Sequence, residues 1–275
     1  MSPGLIYSVL VPIDFSRQSV WALYAAAMLV RKNQGIIHLL HIVDSRINPG
    51  KDDIDKARAN LLDFTLNYQQ ELGVSIIPNV ETGNIFKTIG EMANRLGAKI
   101  IVMGTHGIKG IQKVIGSYAI RVILGSKVPV ILIKDQFSSE GFRRIIIPFE
   151  ANTSLDMVIE KVIDSGRPFQ STVYLFTLMK TMSSFDKRKT LARIKRTQKQ
   201  FISAGLESKS IIIQNDIQDF TDAVTRYAQN INADFIALPL QTSLYLKEPE
   251  ISKTVFNLLE KAPFPLWVLN TDKHN

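Results

Sequence analysis

Apolar residues in this chain fall into short unbroken runs, separated by longer stretches with helical spacing. The first run, "IYSVLVPID" (6–14), predicts a β-strand buried on both faces. Ser16 then reads as the N-cap of a helix through about Asn33. "GIIHLLHIVD" (35–44) predicts a second strand. "DDIDKARANLLDFTLNYQQELG" (52–73) predicts an amphipathic helix with Ile54, Ala57, Leu61, Phe64, Leu66 and Tyr68 near one face. "VSIIPNVETG" (74–83) predicts a third strand, and "NIFKTIGEMANRLG" (84–97) a helix closed by Gly97. "KIIVMG" (99–104) and "VPVILIK" (128–134) predict strands four and five, with a helix from Ser117 to Gly125 between them.

The pattern then repeats. "VLVPIDFSRQS" (9–19) resembles "IIIPFEANTSL" (145–155), with Pro12 on Pro148 and Asp14 on Glu150 at an offset of 136. "AKIIVMGTHG" (98–107) matches "ADFIALPLQT" (233–242) at 135, and "VPVILIK" matches "FPLWVLN" (264–270) at 136. Such a period is far above solenoid length and means a duplicated domain. The expected domains are 1–136 and 142–275, joined by the polar stretch "KDQFSSEG" (134–141). The second half predicts strands near 143–149, 171–178, 209–214, 233–238 and 265–270.

Strands alternating with helices imply right-handed crossovers and a parallel sheet covered on both faces. The expected fold is α/β: two tandem doubly wound, Rossmann-like domains, each with five parallel strands. The fifth strands are apolar and would be exposed edges if unpaired. They are therefore expected to face each other as an internal pseudo-dimer. Ligands of such sheets sit beyond the carboxyl ends of the strands, at the switch in strand order.

Composition narrows the chemistry. There is no cysteine, which excludes disulfides and thiolate ligands or nucleophiles and fits a reducing, cytoplasmic setting. The start "MSPGLIYSVL" lacks a basic region before an apolar core, so no signal peptide is expected. No apolar run approaches the roughly 20 residues that span a bilayer, so no membrane partner is expected. The net charge of +8 has a local source, seven basic residues in "KRKTLARIKRTQK" (187–199). With Leu191, Ile194 and Gln198 on one side, this reads as a solvated helix face. No aromatic residue interleaves with the charges, which argues against a nucleic-acid platform.

The densest signal is "GTHGIKGIQKVIGS" (104–117), which holds four of the 15 glycines. Glycines after a parallel strand let the backbone approach an anion, and the next helix N-terminus adds free N–H donors. The loop lacks the closing Gly-Lys-Ser/Thr of a P-loop and does not follow the first strand as a dinucleotide fingerprint does.

With "PIDFS" after strand one, "LLHIVD" on strand two and "KVPVILI" on strand five, the sequence resembles the universal stress protein family in its tandem two-domain form. That family's signature is Gly, two residues, Gly, nine residues, Gly, then Ser or Thr. Here eight residues, "IKGIQKVI", stand between Gly107 and Gly116. The resemblance implies a site for ATP or a related adenine nucleotide, with Mg²⁺ as a candidate companion. Adenine and ribose would lie near Pro12, Asp14 and Ile42, and the phosphates near Met103, Gly104, His106, Gly107, Gly116 and Ser117. It also implies a stress-response role with unknown protein partners, and leaves room for a homodimer.

Blander readings stand beside these. Asp14 also suits a helix N-terminus, His106 also suits mere loop lining, and Trp21 and Trp267 read as core. His38 and His41 point to opposite faces of a strand and would not share a metal. The acidic "KDDID" (51–55) opens a helix, where acids are expected. No catalytic set stands out, so at most slow ATP hydrolysis is expected. In the second half Glu150 replaces Asp14, Pro239 replaces Gly104, and "LQTSLYLKEPE" lacks every glycine, which reads as a degenerate site. The competing reading of the whole is an interaction scaffold without a ligand in either half.

Overall fold

The computed structural model describes residues 6–105, 117–134, 141–150, 153–179, 183–214, 219–240 and 253–270. The chain divides into two compact units, Met1–Ser138 and Ser139–Asn275.

In the first unit the order is β1 (Ser8–Pro12), α1 (Arg17–Asn33), β2 (Ile36–Asp44), α2 (Lys51–Leu72), β3 (Ser75–Gly83), α3 (Ile85–Arg95), β4 (Ile100–Gly104), α4 (Ser117–Gly125) and β5 (Val130–Ile133). The strands are parallel and lie in the order β3-β2-β1-β4-β5. Val9, Leu10, Ile37, Leu39, Ile101 and Leu132 are fully buried, as the unbroken apolar runs require.

The second unit repeats this sequence of elements. It comprises β6 (Arg144–Pro148), α5 (Asp156–Gly166), β7 (Thr172–Leu178), α6 (Ser184–Ser203), β8 (Glu207–Ile213), α7 (Phe220–Asn230), β9 (Phe235–Leu240), α8 (Lys253–Lys261) and β10 (Leu266–Asn270). Its order is β8-β7-β6-β9-β10, again parallel. Phe142 anchors this core, stacked on Phe235 at 4.0 Å and edge-on to Trp267 at 5.6 Å. Trp267 is buried as expected, whereas Trp21 is only half-buried and has Arg17 over its ring at 5.7 Å.

The helix ends follow local chemistry. Ser16 caps α1, its hydroxyl accepting from the Ser19 N–H at 3.3 Å. Gly97 follows α3 with φ +60°, a conformation glycine adopts without a Cβ penalty. Two helix faces differ from expectation by one position. In α2 the buried residues are Leu61, Thr65 and Leu72, while Leu66 is 56% exposed. In α6 they are Thr190, Ile194, Thr197 and Phe201, while Leu191 is 40% exposed.

Candidate functional site

In the first unit the chain steps from β1 outward to β2 and β3, then crosses back to place β4 on the other side of β1. The order therefore switches between β1 and β4, and a crevice belongs at the carboxyl ends of those strands. Pro12 ends β1 opposite Leu40, and Asp14 follows in the turn. Met103 and Gly104 end β4 opposite Leu132 and Ile133. Ile42 lies half-buried near the end of β2 opposite Glu81. Five of the predicted residues are thus gathered at one end of three adjacent strands. Ser117 opens α4. His106, Gly107 and Gly116 lie outside the described residues.

The turn after β1 is held from several sides. The Ser16 N–H donates to Asp14 Oδ1 at 3.0 Å, and the Ser16 hydroxyl donates to the same oxygen at 2.5 Å. Asp14 therefore reinforces the cap of α1 while its side chain stays exposed. Phe15 has φ 63°, a left-handed conformation that costs a non-glycine residue about 1–2 kcal/mol. Its ring packs against His41 at 4.9 Å and Phe64 at 5.3 Å, which offsets that cost. His41 Nδ1–H donates to the Ile13 carbonyl at 2.9 Å, tying β2 to the same turn. Because a carbonyl only accepts, this bond fixes the proton on Nδ1.

Gly104 has a packing reason of its own. A Cβ there would lie 2.3 Å from the Gln18 carbonyl carbon and oxygen and 2.7 Å from the Ser19 nitrogen. The glycine lets β4 reach the first turn of α1. The next residue, Thr105, donates its N–H to the Ile133 carbonyl at 2.8 Å. Its hydroxyl is buried and has no hydrogen-bond partner among the described residues. An unmet buried hydroxyl costs about 1–3 kcal/mol, so it marks a place where a polar ligand group is welcome.

Two further ionisable groups lie on β2, only Asp44 of them at its carboxyl end. The Arg46 side chain donates to Asp44 and holds its carboxyl below the usual carboxylate range. His38, near the amino-terminal end of β2 and opposite Leu10, is buried, and desolvation lowers its basicity. Its Nδ1 also has no partner among the described residues.

The second unit has the same switch point, between β6 and β9. Glu150 follows β6, and Pro239 sits within β9 opposite Leu269. Pro239 offers no N–H where Gly104 stands in the first unit. Sequence reasoning missed Phe15, Phe64 and Thr105. Thr105 follows the glycine of β4 directly and was legible as a candidate. The contact of Phe15 with Phe64 joins residues far apart in the chain and had no local signal.

The universal stress protein family profile matches residues 7–134. A protein of Staphylococcus haemolyticus (strain JCSC1435), named as a universal stress protein, is 24% identical over 147 residues, covering 50% of this chain and 89% of that one. A universal stress protein from Archaeoglobus fulgidus DSM 4304 has a similar fold, with a TM-score of 0.75 at 18% identity, over 96% of this chain and 98% of that one. Another structure from Archaeoglobus fulgidus, in complex with dAMP, covers 47% of this chain and 98% of its own, at 23% identity and a TM-score of 0.39. The crevice between β1 and β4 thus lies within the matched residues, and the first unit is a universal stress protein family domain.

Proposed function

We propose that the first unit binds an adenine nucleotide in the crevice between β1 and β4, and that the chain acts in a stress response by binding rather than by catalysis. The observation that carries this reading is the buried Thr105 hydroxyl just after β4, unpartnered among the described residues. It stands at the switch point, beside Gly104 and across from the Asp14 turn. Asp14 Oδ1 accepts from the Ser16 N–H and hydroxyl, which holds the carboxylate at the edge of the crevice where a ribose would lie. Ile42 and Phe15 supply apolar surface for a base. The phosphates fall to Gly107, Gly116 and Ser117, with ATP and Mg²⁺ as the specific expectation.

A melting experiment on the full chain tests it, with dAMP, ADP and ATP as probes. At 100 times Kd a ligand stabilises by about 2.7 kcal/mol, which raises the melting point of a unit this size by about 9 °C. Thr105→Val removes the hydroxyl at constant shape. It is expected to leave the unliganded melt unchanged or higher and to weaken the nucleotide about tenfold. No shift with any of the three nucleotides at millimolar concentration sinks the reading.

One observation favours the second reading, a scaffold without a ligand. Gly104 is explained by its approach to Gln18 alone. That reading predicts no response to nucleotide in either variant.

A further inference from the structure

The switch point of the second unit holds a cavity of about 90 Å³. Its floor is the end of β6 and β9, where Pro148, Leu238 and Pro239 line it. Phe220, the first residue of α7, and Val255 and Leu258 of α8 close the sides. Two of these positions are prolines, which have no N–H to turn toward an anion. Among the described residues no Lys, Arg or His lines the cavity. Arg193 stands at its rim, held by two of the lining residues. Its guanidinium lies over the Phe149 ring at 5.3 Å and donates to the Thr153 carbonyl.

The polar groups among the described lining residues are acidic or neutral. Glu150 is exposed, and one of its oxygens accepts from the Thr254 hydroxyl at 3.1 Å. The Thr153 hydroxyl accepts from the Glu150 N–H at 3.0 Å, which fixes the turn that presents the carboxylate. A carboxylate has about four acceptor sites, so most of its capacity remains for a ligand. Among the described residues a phosphate here would meet the Glu150 carboxylate, while Arg193 is turned onto Phe149 and the Thr153 carbonyl. An ammonium group would meet an acceptor already positioned by two threonines.

We propose that the second unit binds a small primary amine, with its apolar group in this cavity and its ammonium on Glu150. The duplicated crevice then serves two chemistries, an anion-accepting one in the first unit and a cation-accepting one in the second. Size limits the apolar part. An apolar cavity of roughly 150 Å³ takes benzene, so one of about 90 Å³ suits a branched four-carbon group.

Saturation-transfer NMR on the full chain tests this with ethylamine, isobutylamine and isovalerate as probes. Isobutylamine is expected to bind, and each methylene gained over ethylamine to strengthen binding about fourfold. Isovalerate, with the same apolar group and an anionic head, is expected not to bind. Glu150→Gln is expected to weaken isobutylamine at least tenfold without changing the melting point, because the side chain is exposed. Saturating ATP is expected to leave amine binding unchanged, which separates this site from the first unit's. Equal transfer to amine and carboxylate, binding unaffected by Glu150→Gln, or no transfer to any amine at tens of millimolar overturns the proposal.

Discussion

Gly104→Ala is a severe change for one methyl group. The added Cβ would stand 2.3 Å from the Gln18 carbonyl carbon and oxygen and 2.7 Å from the Ser19 nitrogen. All three are backbone atoms, so no side chain can rotate away. Either the end of β4 or the first turn of α1 must move. A shift of α1 disturbs Ser19, Ala22 and Leu23, which are buried against the sheet, and the Ser16 cap. Overpacking in a filled core costs typically 1–3 kcal/mol, and contact with fixed backbone puts this case near 3 kcal/mol. For the 138-residue first unit, an unfolding entropy of roughly 2.1 cal/mol/K per residue converts that to a fall of about 10 °C in Tm. Differential scanning calorimetry of the full chain reads this as a shift of the first unit's transition with the second unit's transition unmoved. Gly50→Ala is the control, because its Cβ would meet nothing nearer than Asp53 Oδ2 at 3.6 Å. If Gly104→Ala melts within about 2 °C of the parent, the close approach of β4 to α1 is wrong.

Three other changes probe separate features. Ser16→Ala removes the cap of α1 and the hydroxyl that donates to Asp14, and is expected to cost about 1 kcal/mol in urea denaturation. His38 is harder to protonate in the folded chain than in the unfolded one, because it is desolvated. Falling pH therefore loads the unfolded state first, and stability is lost progressively below about pH 6.5 toward the lower folded value. His38→Leu is expected to flatten that part of the stability profile, and an unchanged slope refutes the assignment. Tyr24 donates to Glu71, which pushes its phenol up to about 12. Glu71→Gln is expected to bring its ionisation back toward about 10 in an ultraviolet titration.

Much of the fold was legible because its causes are local. The Ser16 cap, the Gly97 stop and the buried strands each depend on residues within a few positions of one another. The faces of α2 and α6 were misplaced by one residue for a definite reason. Leu66 and Leu191 are more apolar than their neighbours Thr65 and Thr190, yet the period from Leu61 and from Ile194 buries the threonines. Geometry outranked hydrophobicity there. The site was legible through Asp14 and Gly104, which stand at the ends of recognisable strands. The clash that fixes Gly104 was not, because Gln18 is distant in sequence and carries no glycine-related signal. The cavity beside Glu150 was hidden for the same reason: β6, β9 and α8 meet only in the folded unit.

The central claim is that one of two duplicated crevices takes an adenine nucleotide. Isothermal titration calorimetry of the full chain with ATP, ADP and dAMP measures this directly through the stoichiometry. The expected result is saturable binding of one nucleotide per chain, weakened about tenfold by Thr105→Val and untouched by Glu150→Gln. Two nucleotides per chain, or no heat of binding at millimolar nucleotide, contradicts it.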